Sequence, residues 1–187
     1  PMDFPHIYDG NACCHRKAHN IYGTQMARAT YHGVKRFAYP KRPFVITRSA
    51  YAGAQRYTSS WTGDNVATWE HLWIANIQVQ RLSISGMGFT GSDIGGFAEQ
   101  PTGELYARWI QLGVFHPFCR THSSGDHGNQ EPWAFDEEVI NITRKFVSLR
   151  YQLLPYLYTM FWQYIEEGVP MLKPLVYFDQ DDTQTHY

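Results

Sequence analysis

A parallel α/β fold is what this 187-residue sequence predicts. Three observations lead there. Short apolar runs without polar alternation take turns with amphipathic stretches of helical period, in the order strand, loop, helix, repeated about four times. The segments that follow the strand-like runs are rich in Asp, Arg, His and Trp, whereas those that follow the helices are short and plain. That asymmetry puts the functional groups on one face, as in a (β/α)8 barrel, where the loops after the strands carry the chemistry. A whole barrel takes roughly 250 residues, so the prediction is a partial (β/α)8 TIM barrel. Residues 1–187 then form a fragment of one barrel domain, with the earlier strands and any flanking β domains outside the sequence.

The elements are predicted in order. Over 17–37, Ala18, Tyr22, Met26, Ala29, Gly33 and Phe37 recur at steps of three and four, one face of a helix that YPKRP stops. Phe44 to Thr47 read as a strand covered on both faces. Asn65 is the expected N-cap of a helix over 66–82 with Trp69, Leu72, Trp73 and Ile77 inward. A second strand is expected near Ser83 to Thr90. A helix over 104–112 follows, with Leu105, Trp109 and Leu112 on one face and Gly113 as its stop. VFHPF is a brief strand-like run. Asp136 is the predicted N-cap of the last helix, with Glu137 and Glu138 in its first turn. Its stripe runs through Ile142, Phe146, Leu149, Leu153, Leu157, Met160 and Tyr164. Pro155 predicts a kink or a division into two helices. Gly168 ends the segment, and MLKPLVYF is the final strand candidate.

Composition narrows the function. A hydrophobic share of 43% excludes a disordered chain. Sixteen Lys and Arg against 17 Asp and Glu leave a net charge of −1, which gives no attraction to a phosphate backbone or an anionic membrane. Nucleic acid and membrane are therefore not expected partners. No apolar run approaches the roughly 20 residues that span a bilayer, and PMDFPHIYDG has no basic stretch followed by an apolar one. Three cysteines cannot all pair, and adjacent Cys13 and Cys14 are poorly placed to bond to each other, which leans towards a reducing, cytoplasmic compartment. Aromatic residues make up 16% of the chain, several beside Asp, Arg or His. Rings beside polar side chains suit sugars, which have apolar faces and polar edges, although aromatics also fill cores.

Two acidic residues stand out among the loops. Asp64, in WTGDN, follows the first strand candidate, and Asp93, in GSDIGGF, follows the second. Each has a plain reading, Asp64-Asn65 as the start of a helix and Asp93 as a turn residue. His116, His122 and His127 fit no zinc spacing, so no metal is expected. Gly86, Gly88 and Gly91 spell G-x-G-x-x-G, yet SDIGGFAEQPTG follows where a phosphate-binding helix should begin, and a dinucleotide site is not expected. Cys119 reads as a small packing residue. Phe161, Trp162 and Tyr164 on the last helix read as outer packing.

The strings TRSAYAG, WTGDN, GSDIGGF and HPFCRTH, in that order, resemble glycoside hydrolase family 31, the family of α-glucosidases, sucrase-isomaltases and α-xylosidases. The resemblance runs from about Asn20 to Tyr187 and ends at the last strand of the barrel. It implies that Asp64 is the general acid/base. Arg48, Asp93 and His122 would hold hydroxyls of the sugar at the cleavage point, and Trp61 and Phe97 would line that subsite. The substrate implied is an oligosaccharide or α-glucoside attacked at its non-reducing end, with no cofactor. An α-xylosidase, an α-transglucosidase or a non-catalytic carbohydrate-binding homologue on the same barrel are the alternatives.

A retaining hydrolase needs two carboxyl groups about 5–5.5 Å apart, one to attack the anomeric carbon and one to protonate the leaving oxygen. The family's nucleophile lies in a W-x-D-M-N-E-type strand end upstream of these strings. Asp3 and Asp9 stand in no such context. The expectation is a chain that carries the acid/base without the nucleophile and is inactive by itself. The acid itself is expected to be kept protonated by ring faces such as Trp61 or by the nearby nucleophile.

Overall fold

The computed structural model describes residues 2–8, 10–126 and 128–186. Asp9 and His127 lie outside them. Two compact units divide the chain, Pro1–Ser60 and Trp61–Tyr187.

In the first unit an antiparallel hairpin joins β1, Pro5–Tyr8, to β2, Asn11–Cys14, with Pro5 opposite Cys14. It runs straight into α1, His15–Phe37, close to the predicted span. The predicted face is only partly buried. Ala18 and Ala27 are covered, and a Cβ on Gly23 would clash with the Ser49 carbonyl, so the segment after Thr47 passes close to the helix there. Tyr22, Met26 and Phe37 are exposed. Phe44 to Thr47 do not form the predicted strand. Ile46 makes a single parallel bridge to Ser59, with Thr47 N donating to the Ser59 carbonyl at 3.0 Å. A strand needs a neighbour over several residues, and only this short stretch finds one.

The second unit opens at the end of β3, Ser60–Trp61, and continues through α2, Trp69–Ile84; β4, Thr90–Gly91; β5, Asp93–Ile94; α3, Gly103–Gly113; β6, Arg120–Thr121; and α4, Glu137–Glu167. β5 and β6 are parallel, with Asp93 opposite Arg120 and Ile94 opposite Thr121. The core gathers Ala75, Ile94, Leu105, Tyr106, Trp109, Ile110, Val114 and Val139, with Leu72, Cys119, Phe135 and Phe146 packed against it. Tyr106 stacks on Phe135 at 4.6 Å, and buried Trp109 donates its indole N–H to Ser92 Oγ at 3.0 Å. Cys119 is therefore a packing residue, and burial pushes its thiol pKa up.

Several boundaries differ from the sequence reading. The cap of α2 is Thr68, whose hydroxyl accepts from His71 N. Asn65 cannot serve, because its side chain accepts from Thr62 Oγ1 and its carbonyl accepts from Phe97 N and Ala98 N. The helix buries Ala75, Val79 and Ser83, and leaves Trp69 and Trp73 exposed. It also runs to Ile84, so only Thr90–Gly91 remain of the strand expected over 83–90. VFHPF is a turn closed by Arg150, which donates to the carbonyls of Val114, His116 and Pro117 at 2.6, 2.7 and 2.8 Å.

α4 is capped by Asp136, which accepts from Val139 N at 2.9 Å, and ends at Gly168 with φ 73°. It runs as one helix through Pro155, which sits on the exposed side and costs one helical hydrogen bond. Phe161 meets Phe89 at 5.3 Å and Tyr164 donates to the Gly86 carbonyl at 2.8 Å, whereas Trp162 is exposed. MLKPLVYF contains a 3-10 turn, Leu175–Tyr177, started by Pro174, which has no N–H to give a sheet. None of the described helices is long and apolar enough to cross a membrane.

Candidate active site

The WTGDN turn is built from its own hydrogen bonds. Thr62 N donates to the Gly91 carbonyl at 3.1 Å, which sets the end of β3 beside β4, and Asn65 N donates to the Gly63 carbonyl at 3.0 Å. Gly63 takes φ 84°, a left-handed conformation that favours glycine. The Asn65 carbonyl then receives Phe97 N at 2.6 Å and Ala98 N at 3.1 Å. Of the five residues in the turn only Asp64 is exposed, flanked by buried Gly63 and Asn65. The apolar cover expected around a proton donor is thus not supplied within this unit, where Trp61 is half-buried.

Asp93 has the opposite setting. Its side chain is fully buried on β5, and Oδ1 accepts from Arg120 Nε at 3.2 Å and Nη2 at 3.1 Å. Oδ2 is buried and meets no donor among the described residues. Burial raises the Asp93 pKa; Arg120 and His122 pull it down, and the Asp64 charge pushes it up. That coupling places Asp64, Asp93 and His122 within one electrostatic neighbourhood.

Phe97 and His122 complete the group. Their rings lie 5.2 Å apart at 36°, and Ser124 N donates to the Phe97 carbonyl at 2.9 Å. His122 is exposed. Gln130, buried, donates to the carbonyls of Gly96 at 3.0 Å and Glu99 at 3.4 Å, so the loop after β6 holds the loop after β5. Five predicted residues, Trp61, Asp64, Asp93, Phe97 and His122, therefore share the strand ends of the second unit. Arg48 belongs to the first unit, where it is exposed between Thr47 and Ser49. A cleft of about 680 Å³ in that unit, between α1 and residues 45–51, is lined by His15, His19, Tyr22 and Met26 among others and by none of the predicted residues.

The glycine motif and His116, neither of which was given a role in the sequence, have structural settings, and one residue is new. The glycine motif serves close packing: a Cβ on Gly88 would sit 2.7 Å from the Tyr164 ring, and one on Gly91 would strike the Phe118 carbonyl. His116 is buried, with neither ring nitrogen paired among the described residues, and burial, helped by Arg150, lowers its pKa to about 4. No group of three or more His, Cys, Asp or Glu among the described residues is arranged to hold a metal. Sequence reasoning gave no role to Arg120, whose guanidinium also lies 5.2 Å from the centre of the Trp61 ring and 5.1 Å from that of Phe118. Its position two residues before His122 was the available signal.

The sequence pattern of the glycosyl hydrolases family 31 TIM-barrel domain matches residues 3–160. This chain belongs to glycoside hydrolase family 31. Its fold class is accordingly α/β, part of a TIM barrel. Alpha-glucosidase 2 of Bacillus thermoamyloliquefaciens is 45% identical over 181 residues, 97% of this chain and 23% of that protein. Glucosidase 2 subunit alpha of Saccharomyces cerevisiae is 44% identical over 188 residues, 93% of this chain and 20% of that one. Among solved structures, a family 31 alpha-glucosidase from Bacteroides thetaiotaomicron superposes with TM-score 0.87 at 38% identity, covering 94% of this chain and 30% of its own. A Flavobacterium johnsoniae family 31 dextranase complexed with glucose gives 0.83 at 34% identity, covering 92% and 22%. The chain spans about a fifth of the length of the curated relatives it matches.

Proposed function

We propose that this chain is the acid/base portion of a retaining α-glucosidase-type hydrolase that removes glucose from the non-reducing ends of oligosaccharides. The observation that carries the reading is the WTGDN turn, which is closed on itself and exposes Asp64 alone, with Trp61, Asp93, Phe97 and His122 on the same strand ends. The curated relatives' names and the glucose bound to the related dextranase support an α-glucoside as substrate. Residues 1–187 are then a fragment of one catalytic barrel domain, and the nucleophilic carboxylate comes from a segment outside them.

In the first step that carboxylate attacks the anomeric carbon while protonated Asp64 passes its proton to the departing glycosidic oxygen. In the second step Asp64, now a carboxylate, takes a proton from water as the water oxygen bonds to the anomeric carbon and the nucleophile leaves. Asp93 accepts, and His122 donates, hydrogen bonds to hydroxyls of the same sugar. Trp61 and Phe97 cover its apolar faces.

Asp64→Asn in the longer protein that contains this chain tests the assignment. Hydrolysis of substrates with poor leaving groups should fall by about 10²–10⁴, whereas activated aryl α-glucosides should still react once and stall as the glycosyl-enzyme. A mild, equal loss on both removes Asp64 from the role. The 187 residues alone should show no turnover.

A further inference from the structure

A single guanidinium joins the two turns of the site. Arg120 faces Asp93 across the parallel β5–β6 register, and both of its donors converge on one oxygen, Oδ1, at 3.2 and 3.1 Å. Arginine and a carboxylate usually pair as a fork, one donor to each oxygen. Here the second oxygen is left over: Oδ2 is buried and meets no donor among the described residues. The guanidinium is also held by rings, with Trp61 at 5.2 Å and Phe118 at 5.1 Å from its central carbon. Gly91 lets the Phe118 backbone approach β4, since any side chain there would strike the Phe118 carbonyl.

We propose that Arg120 is a positioning residue of the site: it keeps Asp93 a carboxylate with Oδ1 occupied, reserves Oδ2 as an acceptor for a ligand hydroxyl, and braces the indole of Trp61. The identity of that ligand rests on the glycosidase reading; the ion pair and the brace do not. A buried carboxylate without this cation would take up a proton and turn from acceptor to donor. The groups acting on Asp93 are Arg120 and His122, which favour the charged form, and Asp64, which opposes it. Lysine replaces only part of the device, because a compact ammonium neither lies flat between rings nor presents two fixed donors.

The direct test is a pH titration of the Asp93 carboxyl by carbon NMR in the aspartate-labelled 187-residue chain, with the resonance identified by its loss in Asp93→Asn. Arg120→Gln should raise the Asp93 midpoint by about one unit or more, a tenfold change in proton affinity, and Arg120→Lys should fall between. An unmoved midpoint in a folded Arg120→Gln chain overturns the proposal. If the Gln variant does not fold, the Lys variant decides by the same shift. In the longer protein, Arg120→Gln should raise KM for an aryl α-glucoside roughly tenfold with kcat changed far less, and shift the acid limb of kcat/KM upward, as loss of an acceptor for the bound sugar requires. An unchanged KM with a lowered kcat also overturns it. A wild-type protein that turns over no α-glucoside sinks the glycosidase reading alone and leaves the carboxyl titration to decide Arg120.

Discussion

The turn around Asp93 and the turn around Asp64 both follow two-residue strands and both carry an acidic residue, yet one shuts its carboxylate away and the other presents it. Asp93 is enclosed by Arg120, by the β5–β6 pairing and by a loop that Gln130 clamps from behind. Asp64 stands on a turn whose hydrogen bonds engage Thr62, Gly63 and Asn65, and its own side chain is exposed. The difference matches what each is proposed to do. An acceptor for a sugar hydroxyl works best dry and immobile, since the low dielectric strengthens each hydrogen bond it makes. A group that meets first a leaving oxygen and then a water must stay open to both.

Disturbing the Asp93 side should accordingly cost stability, and disturbing the Asp64 side should cost little. The largest effect is expected from Gly91→Ala, where the new Cβ has no room against the Phe118 backbone. A loss of about 3 kcal/mol or more in a denaturant titration is expected, in the range of severe backbone clashes. His116, in the turn that leads to β6, should give the next. With a pKa lowered to about 4, the folded chain resists the proton that the unfolded chain accepts near 6.5. Its contribution is complete above pH 6.5 and is lost as pH falls towards 4, on the order of 3 kcal/mol at about 1.4 kcal/mol per unit. Asp93, with its raised pKa, slopes the other way, so the difference between wild type and His116→Phe is the quantity to follow by thermal unfolding at stepped pH. The smallest effect belongs to Gly63→Ala, which has open space around it and only a positive φ to strain. It should cost about 1 kcal/mol. A Gly63→Ala loss as large as that of Gly91→Ala would abolish the contrast.

The helices were legible in the sequence and the strands were not, for a physical reason. Asp136 and Gly168 bracket α4 by chemistry local to the chain, a side-chain oxygen for Val139 N and a left-handed residue at the stop. Leu105 and Trp109 are likewise buried as their spacing requires. A strand exists only through its neighbour, and within this chain pairing is confined to two residues at a time on β4, β5 and β6, too short to mark any period. The cap at Thr68 was missed because Asn65, the better cap by propensity, is committed to Thr62 and to the 97–98 backbone. The grouping of Trp61, Asp64, Asp93, Phe97 and His122 was legible through family resemblance rather than through spacing. Arg120 was visible as a letter, but its partner lies 27 positions away, and only the β5–β6 register identifies it.

Arg150 reaches from α4 to three carbonyl groups, those of Val114, His116 and Pro117, in the turn before β6. The turn that leads into Arg120 is thereby anchored to a helix rather than to the loop that comes after β6. The exposed tip at Gly125 and Asp126, between Ser124, which donates to the Phe97 carbonyl, and Asn129, whose carbonyl accepts from Gln100, is therefore where sequence can be exchanged or lengthened, as an engineer or a lineage seeking a new leaving group would need, while the registration of β6 stays as it is.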